Sequence, residues 1–154
     1  MPEAIGAASG LRYLDPVLEL EPVVNGGHET ILVVEDDPLI RKLAARVLER
    51  LGYTVLQAEN GFFAMEVVRC HPGEIMLLLS DVVMPLMNGQ ALAERLLAAR
   101  PGLKVLYVSG YTDNLLVQRE VEDRSVAFLQ KPYTPSSLAQ KVRDVLDSVP
   151  DTSR

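Results

Sequence analysis

Short apolar runs alternate with amphipathic stretches five times between Thr30 and Val149. The runs have the length and β-branched content of strands, and the stretches between them show the 3.6-residue spacing of amphipathic helices. A parallel strand can reach its neighbour only through a long crossover, which is usually a helix. The alternation therefore predicts an α/β fold: a doubly wound, five-stranded parallel sheet with helices on both faces.

Turn and capping residues predict the element boundaries. Gly52 and the Pro-Gly pairs after Cys70 and Arg100 end helices, while Asn60 and Thr134 are suited to begin them. The predicted strands are Thr30–Glu35, Tyr53–Ala58, Ile75–Ser80, Leu103–Ser109 and Val126–Leu129. The predicted helices are Pro38–Leu51, Asn60–Cys70, Gly89–Arg100, Asp113–Glu122 and a last one that begins at Thr134 and carries an apolar stripe to Val149.

The first and third runs are the most apolar, so they are expected at the centre of the sheet, covered on both sides. A strand order of 2-1-3-4-5 places them side by side, and a crevice then opens beyond their C-terminal ends. Glu35, Asp36 and Asp81 follow these two strands, and Ser109 and Lys131 end the fourth and fifth at the same edge. The fold is thus expected to gather these five residues in one site.

Three carboxylates without a histidine or thiol indicate a hard cation such as Mg²⁺. A carboxylate beside Mg²⁺ can attack a phosphoryl group and form an aspartyl-phosphate. We expect Asp81 to be this nucleophile and Glu35 and Asp36 to hold the metal. Lys131 and Ser109 can stabilise phosphoryl oxygens.

Composition narrows the class of protein. Residues 1–29 lack a regular period and hold several prolines, so we interpret them as a flexible linker or N-terminal arm before one domain at 30–149 and a tail at 150–154.

The net charge of -6 without a basic stripe argues against nucleic acid as a partner. A single cysteine, no secretion signal and no long apolar run lead us to expect a cytoplasmic protein without direct membrane contact. Monomer and weak dimer both stay open.

Four motifs occur in order across residues 29–149: V-V-E-D-D, L-L-S-D-V-V-M-P-L-M-N-G, V-S-G-Y-T-D and F-L-Q-K-P. Together they resemble the receiver domain of bacterial two-component response regulators, and they are most similar to receivers of hybrid sensor histidine kinases. The resemblance implies a flavodoxin-like (βα)₅ receiver fold and a place in a phosphorelay. A sensor histidine kinase or a histidine phosphotransfer protein would then pass a phosphoryl group from its phosphohistidine to Asp81 with Mg²⁺. The result would be a signalling domain that switches conformation to regulate a partner, rather than an enzyme.

The resemblance also implies roles for further residues. The backbone carbonyl of Val83 would be another Mg²⁺ ligand. Apart from the resemblance, Pro132 leads us to expect a cis Lys131–Pro132 bond, which would aim the lysine toward the acids. The expected switch residues are Ser109, Phe128 and Tyr111. The expected docking face for the histidine donor is formed by Leu39, Ile40 and Leu43 of the first helix and by the loop 131–135, which contains Pro132.

Two other functions stay open on the sequence alone. One is a Mg²⁺-dependent phosphohydrolase with Asp81 as its nucleophile, although Val83 stands where a second acid would serve the leaving group. The other is a receiver-like interaction domain that is never phosphorylated.

Overall fold

The computed structural model describes residues 26–110 and 127–149, which form one parallel sheet with helices on both faces. The strands are β1 (Thr30–Val34), β2 (Thr54–Ala58), β3 (Leu77–Asp81), β4 (Lys104–Ser109) and β5 (Ala127–Gln130). The helices of the described ranges are α1 (Pro38–Arg50), α2 (Gly61–Cys70), α3 (Gly89–Ala99) and α4 (Pro135–Asp147). The sheet order is β2-β1-β3-β4-β5, with every pairing parallel. The predicted fold class and strand order are confirmed.

The two central strands place alternate side chains in two separate cores. Leu32 and Leu78 point to the face covered by α2 and α3. Ile31 and Leu77 point to the face covered by α1 and α4. Because β1 and β3 are covered on both sides, their side chains are almost all buried, as their continuous apolar character predicts.

Helical spacing in the sequence predicts one apolar face for the first helix, with Leu39, Leu43, Ala44 and Leu48 on it, but this face divides in two. Ala44 and Leu48 are buried against the sheet, whereas the side chains of Leu39 and Leu43 are 79% and 57% exposed. The exposed pair lies in the first turns of α1, next to the sheet edge at which β1 ends. Helical spacing gives the face of a helix but not how far along the helix the sheet extends.

Helix α4 ends sooner than its predicted stripe. It stops at Asp147, and Val149 is 86% exposed. The ammonium group of Lys104 donates hydrogen bonds to the carbonyls of Leu146 (2.8 Å) and Ser148 (2.6 Å), so carbonyls at the helix end find a partner from β4.

Contacts of the folded domain extend back to Gly26. The guanidinium of Arg143 in α4 lies 2.8 Å from Glu29 Oε2, and it donates to the carbonyl of Gly26 (3.1 Å) and the hydroxyl of Tyr53 (3.2 Å). The last residues of the predicted arm are therefore held against the domain. The predicted helix Asp113–Glu122, together with Tyr111 and Val126, lies outside the described residues. No helix in the described part of the chain has both the length and the apolar character to cross a membrane.

Candidate functional site

Three carboxylates meet where β1 and β3 end. Oxygen atoms of Glu35, Asp36 and Asp81 all lie within 4.8 Å of one another. The cause is the register of the central strands: Val34 pairs with Ser80, so the residues that follow them stand side by side. Glu35 and Asp81 are only 5% and 6% exposed, whereas Asp36 faces solvent.

The loop after β1 holds Glu35 from two directions. The Asp37 N–H donates to Glu35 Oε2 at 3.1 Å, and the guanidinium of Arg41 donates to the Glu35 carbonyl at 2.8 Å. Asp37 itself caps α1, because its carboxylate accepts from the N–H groups of Leu39 and Ile40. Arg41 is a positioning residue that the sequence analysis missed, and its place one turn into α1 was the only signal for it.

The loop after β3 fixes the backbone of Asp81, which is the last residue of that strand rather than the first residue after it. The N–H of Gly89 donates to the carbonyl of Val82 at 2.7 Å, so α3 begins directly against the strand end. A Cβ atom on Gly89 would lie 2.1 Å from the carbonyl oxygen of Asp81. Only glycine permits this close approach.

Lys131 places its ammonium group between the two buried acids. Its Nζ atom lies 2.7 Å from Glu35 Oε1 and 2.9 Å from Asp81 Oδ1. The Lys131 N–H donates to the carbonyl of Ser109 at 2.7 Å, and the Lys131–Pro132 bond is cis, as expected. The lysine side chain is 21% exposed, so it reaches the acids from the edge of the site.

Burial and mutual contact shift the pKa values of these groups. Burial raises the pKa of Asp81 to about 8, hydrogen bonding with Glu35 adds to the rise, and Lys131 offsets part of it. Burial also acts to raise the pKa of Glu35, but hydrogen bonds with Asp81, Lys131 and a backbone N–H hold it below its ordinary value. Burial acts to lower the pKa of Lys131, and its hydrogen bonds to the two acids outweigh that effect and raise it. Near neutral pH the buried acids therefore share a proton, and the lysine is charged.

The donor set of the cluster fits a hard divalent ion. All three groups offer carboxylate oxygens, which Mg²⁺ prefers, and they are close enough to share one ion directly or through its waters. The Asp36 carboxylate is open to solvent, which gives an ion a way in. Val83 follows two residues after Asp81, and the part played by its carbonyl stays a prediction.

The expected switch residues are placed as follows. Ser109 ends β4, is 1% exposed, and its hydroxyl donates to the Gly110 carbonyl at 3.3 Å. Phe128 pairs in register with Tyr107, is half-buried, and packs against the core on the α2 and α3 face. Tyr111 is outside the described residues. Their action as a switch stays a prediction.

An apolar groove of about 360 Å³ opens beside the acids. Its lining residues are Ile40, Leu43, Lys131, Pro132 and Tyr133. All five belong to the predicted docking face, whereas Leu39 is not part of the lining. Tyr133, directly after the Lys-Pro pair, also lines the groove and lies in the loop 131–135 of the expected docking face. Burial raises the pKa of the Tyr133 hydroxyl to about 12, so this side chain is neutral and Lys131 is the charged residue of the lining.

Comparison with known proteins gives consistent matches. The family model for the response regulator receiver domain matches residues 31–143. Sensor kinase CckA of Brucella abortus is 36% identical over 121 residues, which are 79% of this chain and 13% of that protein. The response regulator receiver protein CpdR of the same species is 34% identical over 116 residues, which are 75% of this chain and 95% of CpdR. The crystal structure of the receiver domain from hybrid histidine kinase CckA has a TM-score of 0.63 and 32% identity, and the match covers 76% of this chain and 98% of that one.

Proposed function

This chain belongs to the response regulator receiver domain family of two-component systems, and we propose that Asp81 accepts a phosphoryl group from a phosphohistidine in a Mg²⁺-dependent reaction. The observation that carries the proposal is the position of the Asp81 carboxylate. It ends the central strand, contacts the half-buried Lys131 and lies within 4.8 Å of two other acids. Two of the three carboxylates are buried, which costs free energy unless a cation or a proton joins them.

Asp81 is the nucleophile in this proposal. One carboxylate oxygen attacks phosphorus, the new O–P bond forms as the P–N bond to histidine breaks, and the electron pair of that bond returns to the imidazole nitrogen. The imidazole leaves neutral when its other ring nitrogen carries the proton. Glu35, Asp36, Asp81 and the Val83 carbonyl would hold Mg²⁺, which would offset the charge of the attacking and transferred oxygens when bound.

The other residues stabilise the transferred group. The Lys131 ammonium is already beside the Asp81 oxygens and would pair with a phosphoryl oxygen after transfer. The Ser109 hydroxyl, at the end of the adjacent strand β4, would donate to another oxygen. Arg41 keeps Glu35 in place through the Glu35 carbonyl.

The added charge would then change the surface of the domain. Movement of Ser109 toward the phosphoryl group would free space at the end of β4, and the half-buried ring of Phe128 on β5 is suited to fill it. The altered β4 and β5 face would regulate a partner.

The partner that supplies the phosphoryl group is a sensor histidine kinase or a histidine phosphotransfer protein. The groove lined by Ile40, Leu43 and Pro132 borders Lys131, so it would hold the donor helix next to the reacting atoms. Leu39 and Leu43 are exposed apolar side chains that a donor would cover.

Intact mass measurement after incubation with acetyl phosphate and Mg²⁺ tests the proposal. The wild-type chain should gain the mass of one phosphoryl group, and Asp81→Asn should gain nothing. Lys42→Met, which removes an exposed lysine of α1, is the control that should load normally. A persistent gain in Asp81→Asn would refute the assignment. Multiple turnover of a phosphate ester would favour the phosphohydrolase, and no gain in the wild type would favour an unphosphorylated interaction domain.

A further inference from the structure

A groove of about 370 Å³ lies between α2 and α3, in the layer on the opposite side of the sheet from α1 and α4. Its lining combines apolar side chains, of which Val68 and Leu96 are buried, with Arg69, Arg95 and Arg100. Arg69 and Arg95 are exposed, and the lining contains no acid. An apolar groove that carries three guanidinium groups suits an occupant that offers apolar side chains together with carboxylates.

Contacts inside the domain leave this groove with excess positive charge. The guanidinium of Arg100 donates to three backbone carbonyls at the C-terminal end of α2, at 2.7 to 3.0 Å. Carbonyl groups carry only partial charge, so they satisfy the donors without neutralising the cation. Arg69 lies 2.6 Å from Glu66, but these side chains are 70% and 56% exposed, and solvent screens such a pair. The groove is therefore a positive site in a chain whose net charge is -6.

The chain carries a matching sequence before its first strand, at residues 14–21, which we call the acidic segment. Its apolar residues are Leu14, Val17, Leu18 and Leu20, and its acids are Asp15, Glu19 and Glu21. No lysine or arginine occurs between Arg12 and Arg41. The acidic segment thus offers the two kinds of side chain that the groove suits, without a cation that would oppose the arginines.

The acidic segment is also tethered at the correct edge of the sheet. Gly26, whose carbonyl accepts from Arg143 at 3.1 Å, lies at the edge where the strands begin. Helices α2 and α3 end at Cys70 and Ala99, at that same edge, because each leads into the next parallel strand. The acidic segment lies 5 to 12 residues before Gly26, so an extended chain carries it about 17 to 41 Å from that point. Sheet and helix layers are each about 10 Å thick, so the groove is within reach.

We propose that the acidic segment binds the groove between α2 and α3 of its own chain. Its leucines cover Val68 and Leu96, and its carboxylates lie beside Arg69 and Arg95. Tethering favours this occupant over a separate molecule, because a short linker gives an effective concentration in the millimolar range. Residues 14–21 are then part of the domain surface rather than a flexible linker. This contact is independent of the phosphorylation of Asp81.

A nitroxide label on Cys70 tests the contact in the full chain. Cys70 is the single cysteine of the sequence, is exposed, and ends α2 beside the groove without lining it. Nuclear magnetic resonance then measures the paramagnetic relaxation of the backbone amides in the acidic segment. We expect strong relaxation in the wild-type chain at low salt. It should fall at least about twofold as salt rises from about 0.05 to 0.5 M, because ions screen exposed charges.

Charge reversal on each side identifies the partners. Arg69→Glu with Arg95→Glu should lower the relaxation at least about threefold, since two ion pairs become repulsive. Glu19→Lys with Glu21→Lys should have the same effect, and the chain with all four substitutions should recover at least about half of the wild-type value. Arg100 is kept because it holds the carbonyls at the end of α2. The melting temperature, which exposed substitutions change little, shows that each variant is folded.

Lys42→Glu with Arg46→Glu is the matched control, because it reverses two exposed cations of α1 in the opposite layer. Its relaxation should equal that of the wild type. Weak relaxation in the wild-type chain would overturn the proposal, as would an equal fall in the control or no recovery in the chain with all four substitutions. An isotope-labelled chain without nitroxide is also mixed with a nitroxide-labelled chain without isotope. Relaxation in that mixture would assign the groove to a second copy and overturn the contact within one chain.

Discussion

Replacing Lys131 with methionine removes the cation between two buried acids while keeping an apolar stem. In the wild-type chain the ammonium lies 2.7 Å from Glu35 and 2.9 Å from Asp81. Glu35 and Asp81 are 5% and 6% exposed in the wild-type chain. Lys131→Met therefore leaves two buried carboxyl groups facing each other. Removing one partner of a buried ion pair costs ~3–5 kcal/mol, because the remaining charge is neither solvated nor paired.

Two features of the site reduce this loss. Lys131 is 21% exposed, so solvent already screens part of its attraction to the acids. Burial raises the pKa of Asp81 to about 8, so near neutral pH this group binds a proton and donates it to Glu35. Only one unpaired charge then remains. We therefore expect the free energy of unfolding to fall by about 2–3 kcal/mol near pH 7 without metal.

The loss of unfolding free energy in Lys131→Met should grow with pH. A folded-state pKa raised above the unfolded value stabilises the fold below the unfolded pKa, and this contribution disappears as pH rises through about 8 for Asp81. In the variant the lysine that offset part of this rise is gone, so the pKa of Asp81 moves further up and the variant keeps losing stability above the pH at which the wild type levels off. Millimolar Mg²⁺ should recover part of the loss, because an ion bound only by the folded state stabilises it by mass action.

Urea unfolding at about pH 6, 7 and 9, with and without Mg²⁺, measures these effects. Lys42→Met removes an exposed lysine from α1 and should change the free energy of unfolding by less than ~0.5 kcal/mol. A Lys131→Met loss below ~1 kcal/mol near pH 7, or one that shrinks toward pH 9, would refute the reasoning about the buried acids.

Three further substitutions test separate parts of the structure. Gly89→Ala places a Cβ 2.1 Å from the carbonyl oxygen of Asp81. It should therefore lower the free energy of unfolding by ~1–3 kcal/mol and weaken Mg²⁺ binding. A wild-type urea midpoint and a wild-type Mg²⁺ titration would contradict this. Asp37→Ala removes the cap of α1 and should cost ~1 kcal/mol in urea unfolding, while Asp37→Asn keeps most of the stability. Hydrogen bonding to Arg143 holds the pKa of Glu29 below its ordinary value, so this pair stabilises the fold above about pH 4.5 and is lost as pH falls. Glu29→Gln should therefore lower the melting temperature near pH 7 and have little effect near pH 3, and equal losses at both values would count against the pair.

The sheet could be predicted because burial leaves a direct trace in composition. A strand covered on both faces must be apolar at every position, and the runs around Leu32 and Leu78 meet that condition. The edge at which the site lies was predictable for the same reason. Parallel strands end together, so acids that follow two adjacent strands must be neighbours. Glu35, Asp81 and Lys131 were assigned to one place on this ground.

Side-chain contacts between a helix and another segment could not be predicted in this way. Nothing local to Arg41 shows that its guanidinium binds the Glu35 carbonyl, and nothing local to Arg143 shows that it pairs with Glu29. Periodicity also assigned Leu39 to the same apolar face as Leu48, although one is 79% exposed and the other is fully buried. These outcomes depend on how far each element extends over its neighbours.

The amino-acid sequence by itself determined the sheet, its order and the edge at which the acids gather, because each follows from covering apolar strands and from the direction of parallel chains. Only the tertiary structure decided which groups touch there: the ammonium of Lys131 between two acids, the carbonyl of Asp81 against Gly89, and Leu86 turned outward in a left-handed backbone. Lys131 reaches its two acids from 96 and 50 residues away, and the two local features depend on how each loop packs against the sheet, so short-range sequence patterns specify neither.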